Sequence, residues 1–97
     1  MKKLPNIHPG EVLREEFLIP LNLSQYKLAK ALGVAQPRIS AICQGKRAIT
    51  ADTAVRLSHY FGTSAGFWLG LQADYDTEEA ERALAEQHIE IQRFEAA

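Results

Sequence analysis

Gln36, Pro37, Arg38, Ser40 and Ala41 fall within six consecutive residues, and their chemistry suits the edges of nucleic-acid bases. A glutamine amide donates to and accepts from adenine at once, and an arginine reaches guanine or a phosphate. The proline ring and the alanine methyl suit the methyl group of thymine. Around them stand Gln25, Gln44, Lys46 and Arg47, amides and cations of the kind that hold backbone phosphates. Lys46-Arg47 has a blander reading as a solvated loop. Other reactive types form no comparable group. His8, His59 and His88 have no metal-ligand spacing among themselves or with Cys43, the single cysteine, so neither a metal site nor an internal disulfide is expected. His8, directly before Pro9, reads as a brace for the start of a helix, His59 as a boundary residue, and Cys43 as a small buried side chain. No phosphate-cradling glycine loop, nucleophile elbow or acid–base pair occurs, so no catalytic residue and no cofactor are assigned and an enzyme is not expected.

Base-reading side chains need a rigid carrier, and the pattern around them predicts short helices. In "SQYKLAKALGVAQPRISAICQG", residues 24–45, Ser24 caps a helix over residues 25–32 with Leu28, Ala29 and Leu32 facing inward. Gly33 supplies the turn, and residues 36–44 form a second helix that Gly45 ends. At roughly 100° per residue, Ile39 and Ile42 define the buried side of that helix. Pro37, Ser40, Ala41 and Gln44 then lie opposite, with Gln36 and Arg38 on the flanks. Proline is tolerated in a first turn because its missing N–H has no partner to lose. It also biases Gln36 away from helical angles, which leaves the start at either Gln36 or Pro37.

Almost everything else reads helical too. A first helix over residues 11–18 carries Val12, Leu13 and Phe17 on one side and stops at Pro20. Thr50 caps a helix over residues 51–61, with Ala54, Val55, Leu57 and Phe61 apolar and Gly62 at its end. Ser64 opens a fifth, which brings Phe67, Trp68, Leu71 and Tyr75 to helical spacing. That stripe is core, a dimer surface, or part of each. Past Tyr75, either the fifth helix runs on through Leu84 or a new one begins at the capping box Asp76/Glu79. The closing "IEIQRFEAA" frays or forms a short extended piece.

The 97 residues are expected to make one all-α domain, in which residues 1–75, with the paired helices at 25–44, form a nucleic-acid-binding part and residues 76–97 an acidic extension, part of the same domain or a tail. The net charge of −1 hides a division: residues 1–62 carry +5 and residues 63–97 carry −6. Two kinds of partner would explain it, and so would plain surface solvation. No apolar run is long enough to span a bilayer, and the first residues lack the apolar stretch of a secretory signal, so a cytoplasmic protein with no membrane partner is expected.

The paired helices resemble the helix-turn-helix of DNA-binding repressors, with Ala29 small where they approach, Gly33 in the turn, and Leu28, Leu32, Val34, Ile39 and Ile42 at the apolar positions. With "IHPGEVLREEFL" before the motif and "RLSHYFGTSAGFWLGLQADYD" after it, the chain resembles the HigA (VapI) antitoxins of the lambda-repressor-like group over about residues 7–76. The resemblance implies a five-helix fold with a helical C-terminal extension. It also implies a homodimer that binds double-stranded operator DNA in the major groove, represses its own operon and neutralises a cognate RNA-cleaving toxin. A stand-alone repressor without a toxin is the alternative. For the toxin contact the acidic residues 63–97 are the candidate segment, with Ile89, Ile91 and Phe94 as apolar anchors.

Overall fold

Hydroxyl side chains at three boundaries divide the chain into its elements. Ser24 Oγ accepts from the Lys27 N–H at 3.0 Å, Thr50 Oγ1 from Thr53 at 3.5 Å, and Ser64 Oγ from Phe67 at 3.0 Å. Behind these caps run α2 (Gln25–Leu32), α4 (Ala51–Phe61) and α5 (Ala65–Glu86). With α1 (Pro9–Val12) and α3 (Gln36–Cys43) they make five helices, and no strand occurs among the described residues. The computed structural model describes residues 5–95, so what was expected of residues 1–4 and 96–97 lies outside it. Gly33 and Gly62 end α2 and α4 in the left-handed region, at φ 72° and 80°, where a β-carbon would be strained.

The first helix differs from expectation. Its α-helical part stops at Val12, and the chain continues as a π-helical segment, Leu13–Leu18. The Ile19 N–H donates to the Arg14 carbonyl at 3.0 Å, five residues back rather than four. This wider turn stacks residues five apart, and Leu13 and Leu18 are therefore both buried, at 0% and 4% exposure. On an α-helix through Leu13, Leu18 would have turned away from the core. Pro20 cannot donate to a helical ladder, and the chain leaves the helix there.

The core gathers Leu13, Leu28, Ile39, Ile42, Ile49 and Leu57 around Trp68. Each such side chain, fully buried, contributes roughly 1.5–3 kcal/mol of transfer free energy. Trp68 donates its indole N–H to Thr63 Oγ1 at 2.7 Å, and Phe17 lies against both Trp68 and Phe61 at 4.9 Å between ring centres. α2 packs on α3 and α4, α4 on α5, and α1 on both α3 and α5. The apolar stripe of α4 is only partly inside: Ala54 and Leu57 are buried, Phe61 is half-buried and Val55 is exposed.

α5 is one continuous helix of 22 residues, so Asp76 and Glu79 lie within it and start nothing new. Its first half is bound into the domain. Gln72, buried, accepts from the Ile49 N–H at 2.8 Å and donates to Asp76 Oδ1 at 2.9 Å. Asn6 donates to the Tyr75 carbonyl at 3.0 Å. The later turns project beyond the other helices, and the molecule measures 56 × 33 × 20 Å. Residues 89–95 form no regular structure and are exposed, Phe94 at 90%. Among the described residues no helix is long and apolar enough to cross a membrane.

Candidate nucleic-acid interface

α3 is only eight residues long and lacks a side-chain cap, since its N-cap residue is Ala35. Gln36 is its first residue and Pro37 its second, which settles the start one residue before the proline. Ile39, Ile42 and Cys43 are buried, so the helix has one inner side. Gln36, Pro37 and Gln44 are exposed on the outside, with Ser40 and Ala41 half-buried beside them. The Gln44 amide donates to Ser40 Oγ at 3.3 Å, tying two of these polar groups together. Gln25, half-buried, opens α2 next to its Ser24 cap. Lys46 and Arg47 are exposed just past α3, where Gly45 at φ 74° turns the chain and the Lys46 N–H closes back on the Ala41 carbonyl at 2.9 Å.

A helix this short is unstable alone, and its position is fixed by groups from elsewhere. Gly10 of α1 lies against the end of α3: a β-carbon there would overlap the Ile42 carbonyl. Arg14 Nη1 donates to the Cys43 carbonyl at 3.1 Å, one of the carbonyls a helix end leaves without an internal partner. The same device ends the other helix of the pair, where Arg56 Nη1 donates to the Leu32 carbonyl at 2.7 Å. Both contacts also place a cation at the negative end of a helix dipole. Cys43 shares this environment, and burial pushes its thiol up although Arg14 opposes the shift.

His8 secures the start of α1, as its position before Pro9 suggests. Its Nδ1 accepts from the Gly10 N–H at 2.9 Å, and its ring meets Tyr75 edge-on at 4.8 Å. Partial burial pulls the imidazole below its ordinary value, against the raising effect of Asp76. The neutral ring is the form that can cap.

One expected site residue carries a contact the sequence did not announce, and one expected surface residue is placed differently from the sequence reading. Arg38 is half-buried on the α4 side and forms an ion pair with Asp52, Nη1 to Oδ2 at 2.8 Å. Asp52 Oδ2 also takes Arg56 Nε at 3.0 Å. Hydrogen bonds from Arg38 first, then Arg56, hold the Asp52 carboxyl below the usual carboxylate range. Trp68, proposed with Phe67, Leu71 and Tyr75 as a dimer surface, is wholly buried in its own chain and offers nothing to a partner. Phe17 and Phe61 lie beside its indole, at 4.9 and 6.4 Å between ring centres. Phe67 is exposed, and Leu71 and Tyr75 are half-buried.

Sequence reasoning missed Gly10, Arg14, Asp52 and Arg56. Asp52 and Arg56 stand four apart in α4, a spacing that announces an ion pair. Nothing local announces that Arg38 joins them, because that contact spans fourteen residues.

The helix-turn-helix family model matches residues 13–68. Virulence-associated protein I of Dichelobacter nodosus is 54% identical over 80 residues, 82% of this chain and 74% of that protein. Antitoxin HigA of Pseudomonas aeruginosa, solved with the higBA promoter, is 45% identical, superposes with a TM-score of 0.86, and is matched over 91% of this chain and 97% of its own. Antitoxin GraA, solved in complex with its operator, is 40% identical with a TM-score of 0.87 over 99% of this chain and 98% of its own.

Proposed function

The chain belongs to the helix-turn-helix family and, within it, to the HigA antitoxins, and from that premise we propose that it binds operator DNA as a dimer, represses its own operon and neutralises an RNA-cleaving toxin. The outward face of α3 carries the DNA reading. It presents Gln36, Pro37, Ser40, Ala41 and Gln44 free of large apolar groups, on a helix whose far end is clamped by Gly10 and Arg14. Gln36 meets adenine, Arg38 on the flank meets a guanine edge, and Pro37 and Ala41 meet thymine methyls in the major groove. Gln25, Lys46 and Arg47 take phosphates on either side. The solved complexes of HigA with a promoter and of GraA with its operator support the operator-binding reading. Phe67, Leu71 and Tyr75 on α5 supply the dimer contact, which sets two half-sites about one turn, ~34 Å, apart. The protein acts in the cytoplasm and performs no catalysis of its own.

The DNA test compares the sequence upstream of the gene with random duplex at several salt concentrations. Gln36→Ala weakens the specific complex by roughly 1–3 kcal/mol and spares random binding. Lys46→Ala weakens both and lowers the salt slope by about one. Equal loss of both complexes in the Gln36 variant would remove base readout from α3. For the toxin, the acidic end of the chain is the proposed contact, since a protein that holds RNA phosphates is itself basic. Reversing the charges of Glu86, Glu90 and Glu95 then abolishes neutralisation at low salt. Undiminished neutralisation at low and high salt moves the contact elsewhere.

A further inference from the structure

Arg38 is the only charged residue of α3, and it does not stand alone. Its partner Asp52 lies in the first turn of α4 and receives two arginines on one oxygen, Arg38 at 2.8 Å and Arg56 at 3.0 Å. Arg56 in turn reaches the Leu32 carbonyl at 2.7 Å, so the ends of α2, α3 and α4 meet at a single carboxylate. Within α4 alone, Asp52–Arg56 is an ordinary exposed pair with little effect. The Arg38 contact is of another kind, because it fixes the direction of the one cation that the reading helix owns. Asp52 engages Nη1, and an arginine has five N–H donors, so the pair leaves Arg38 able to bind a second acceptor.

We propose that Asp52 is a specificity-determining positioning residue, one that aims Arg38 along the flank of α3 and keeps it from pairing with any passing backbone phosphate. This rests on the DNA reading given above. A phosphate must either displace Asp52, exchanging one anionic oxygen for another, or take the remaining donors beside a like charge, so Arg38 gains little from it. A guanine edge presents uncharged O6 and N7 together and adds a bidentate contact without setting a second anion beside the carboxylate. The carboxylate thus lowers affinity for DNA at large more than affinity for a matched site.

The test uses full-length protein, a duplex enriched by the wild type from a random-sequence library, and a scrambled duplex of the same composition. Asp52→Asn should tighten binding to the scrambled duplex and steepen its salt slope by about one, as one more phosphate is engaged. The preference for the selected duplex should narrow about tenfold. Asp52→Glu, which keeps the charge, should retain most of the preference. In an Arg38→Ala background, Asp52→Asn should leave the preference unchanged. Arg56→Ala, which loosens the same junction without freeing Arg38, should also leave it unchanged. If Asp52→Asn strengthens both duplexes equally, or narrows the preference without Arg38, the carboxylate is only a negative charge near DNA and the proposal fails. A wild type that binds no duplex at all rejects the DNA reading itself, and this proposal with it.

Discussion

α3 and the outer turns of α5, residues 80–86, are both helical, yet they are kept in place by different means. α3 is eight residues long, uncapped at Ala35, and held by Gly10, Arg14 and the Asp52 junction. Apart from half-buried Arg82, the outer turns of α5 are exposed, and they inherit their order from a 22-residue ladder with the Arg82–Glu78 pair at 3.3 Å upon it. Length stands in for packing in one case and packing for length in the other. A reading helix has to present side chains at fixed positions, and only tertiary contacts give that. A projecting helix has only to exist.

Gly10→Ala would break this comparison most severely. The new methyl meets backbone at Ile42 rather than a yielding side chain, so the domain loses about 3 kcal/mol, the upper end of overpacking costs. Leu84→Ala, a larger change of volume on an exposed turn of α5, leaves the unfolding midpoint nearly unmoved. Urea titration of both variants decides the matter, and equal losses would mean that α3 is not the more dependent helix.

Arg14→Ala comes next. It deprives the Cys43 carbonyl of its donor, and because Arg14 is itself partly solvated the expected loss is about 1 kcal/mol. Amide hydrogen exchange should quicken across residues 36–43 while α5 stays as protected as before. Uniform quickening would show instead that the whole fold had loosened.

His8 sharpens the comparison through pH. Its folded pKa is depressed, so its contribution is complete above the ordinary histidine value near 6.5 and is lost as pH falls through the lower folded value. A cap of this kind is worth about 1 kcal/mol, and the decline between pH 7 and 5 is correspondingly shallow. His8→Asn keeps a capping oxygen and cannot titrate, so its stability profile over that range should be flatter than the wild type's.

The smallest effect is a gain. A β-carbon at Gly70 meets nothing, and the residue lies inside α5 with no turn to make. Gly70→Ala should raise stability by about 0.5–1 kcal/mol, a shift of several degrees in Tm, without altering DNA binding.

How much of this was legible in the sequence depended on distance along the chain. Residues 25–32 and 51–61 were bounded correctly because their signals are local: Ser24 and Thr50 cap, Gly33 and Gly62 stop, and apolar residues recur between them. The outer face of α3 was legible for the same reason, from Ile39 and Ile42 alone. The π-helical segment was not, because an α-helix and a π-helix share one sequence pattern until the core demands Leu18 as well as Leu13. Nor were the Arg14, Arg38 and Arg56 contacts, since an arginine reads as surface until the fold brings a carbonyl or carboxylate to it. For Trp68, helical spacing gave the face but not the depth, and the depth removes it from any dimer surface.

The projecting end of α5 also governs how the protein will behave on a column. Its radius of gyration is 16.7 Å, where a rounded chain of this size has about 13 Å. A particle stretched to 56 Å in one direction drags more solvent than a sphere of equal mass, so it elutes early against globular standards. A lone chain would then register as something heavier, and an early peak would be mistaken for association. Sedimentation equilibrium or light scattering, which weigh the particle without regard to its outline, are the measurements that can count the copies.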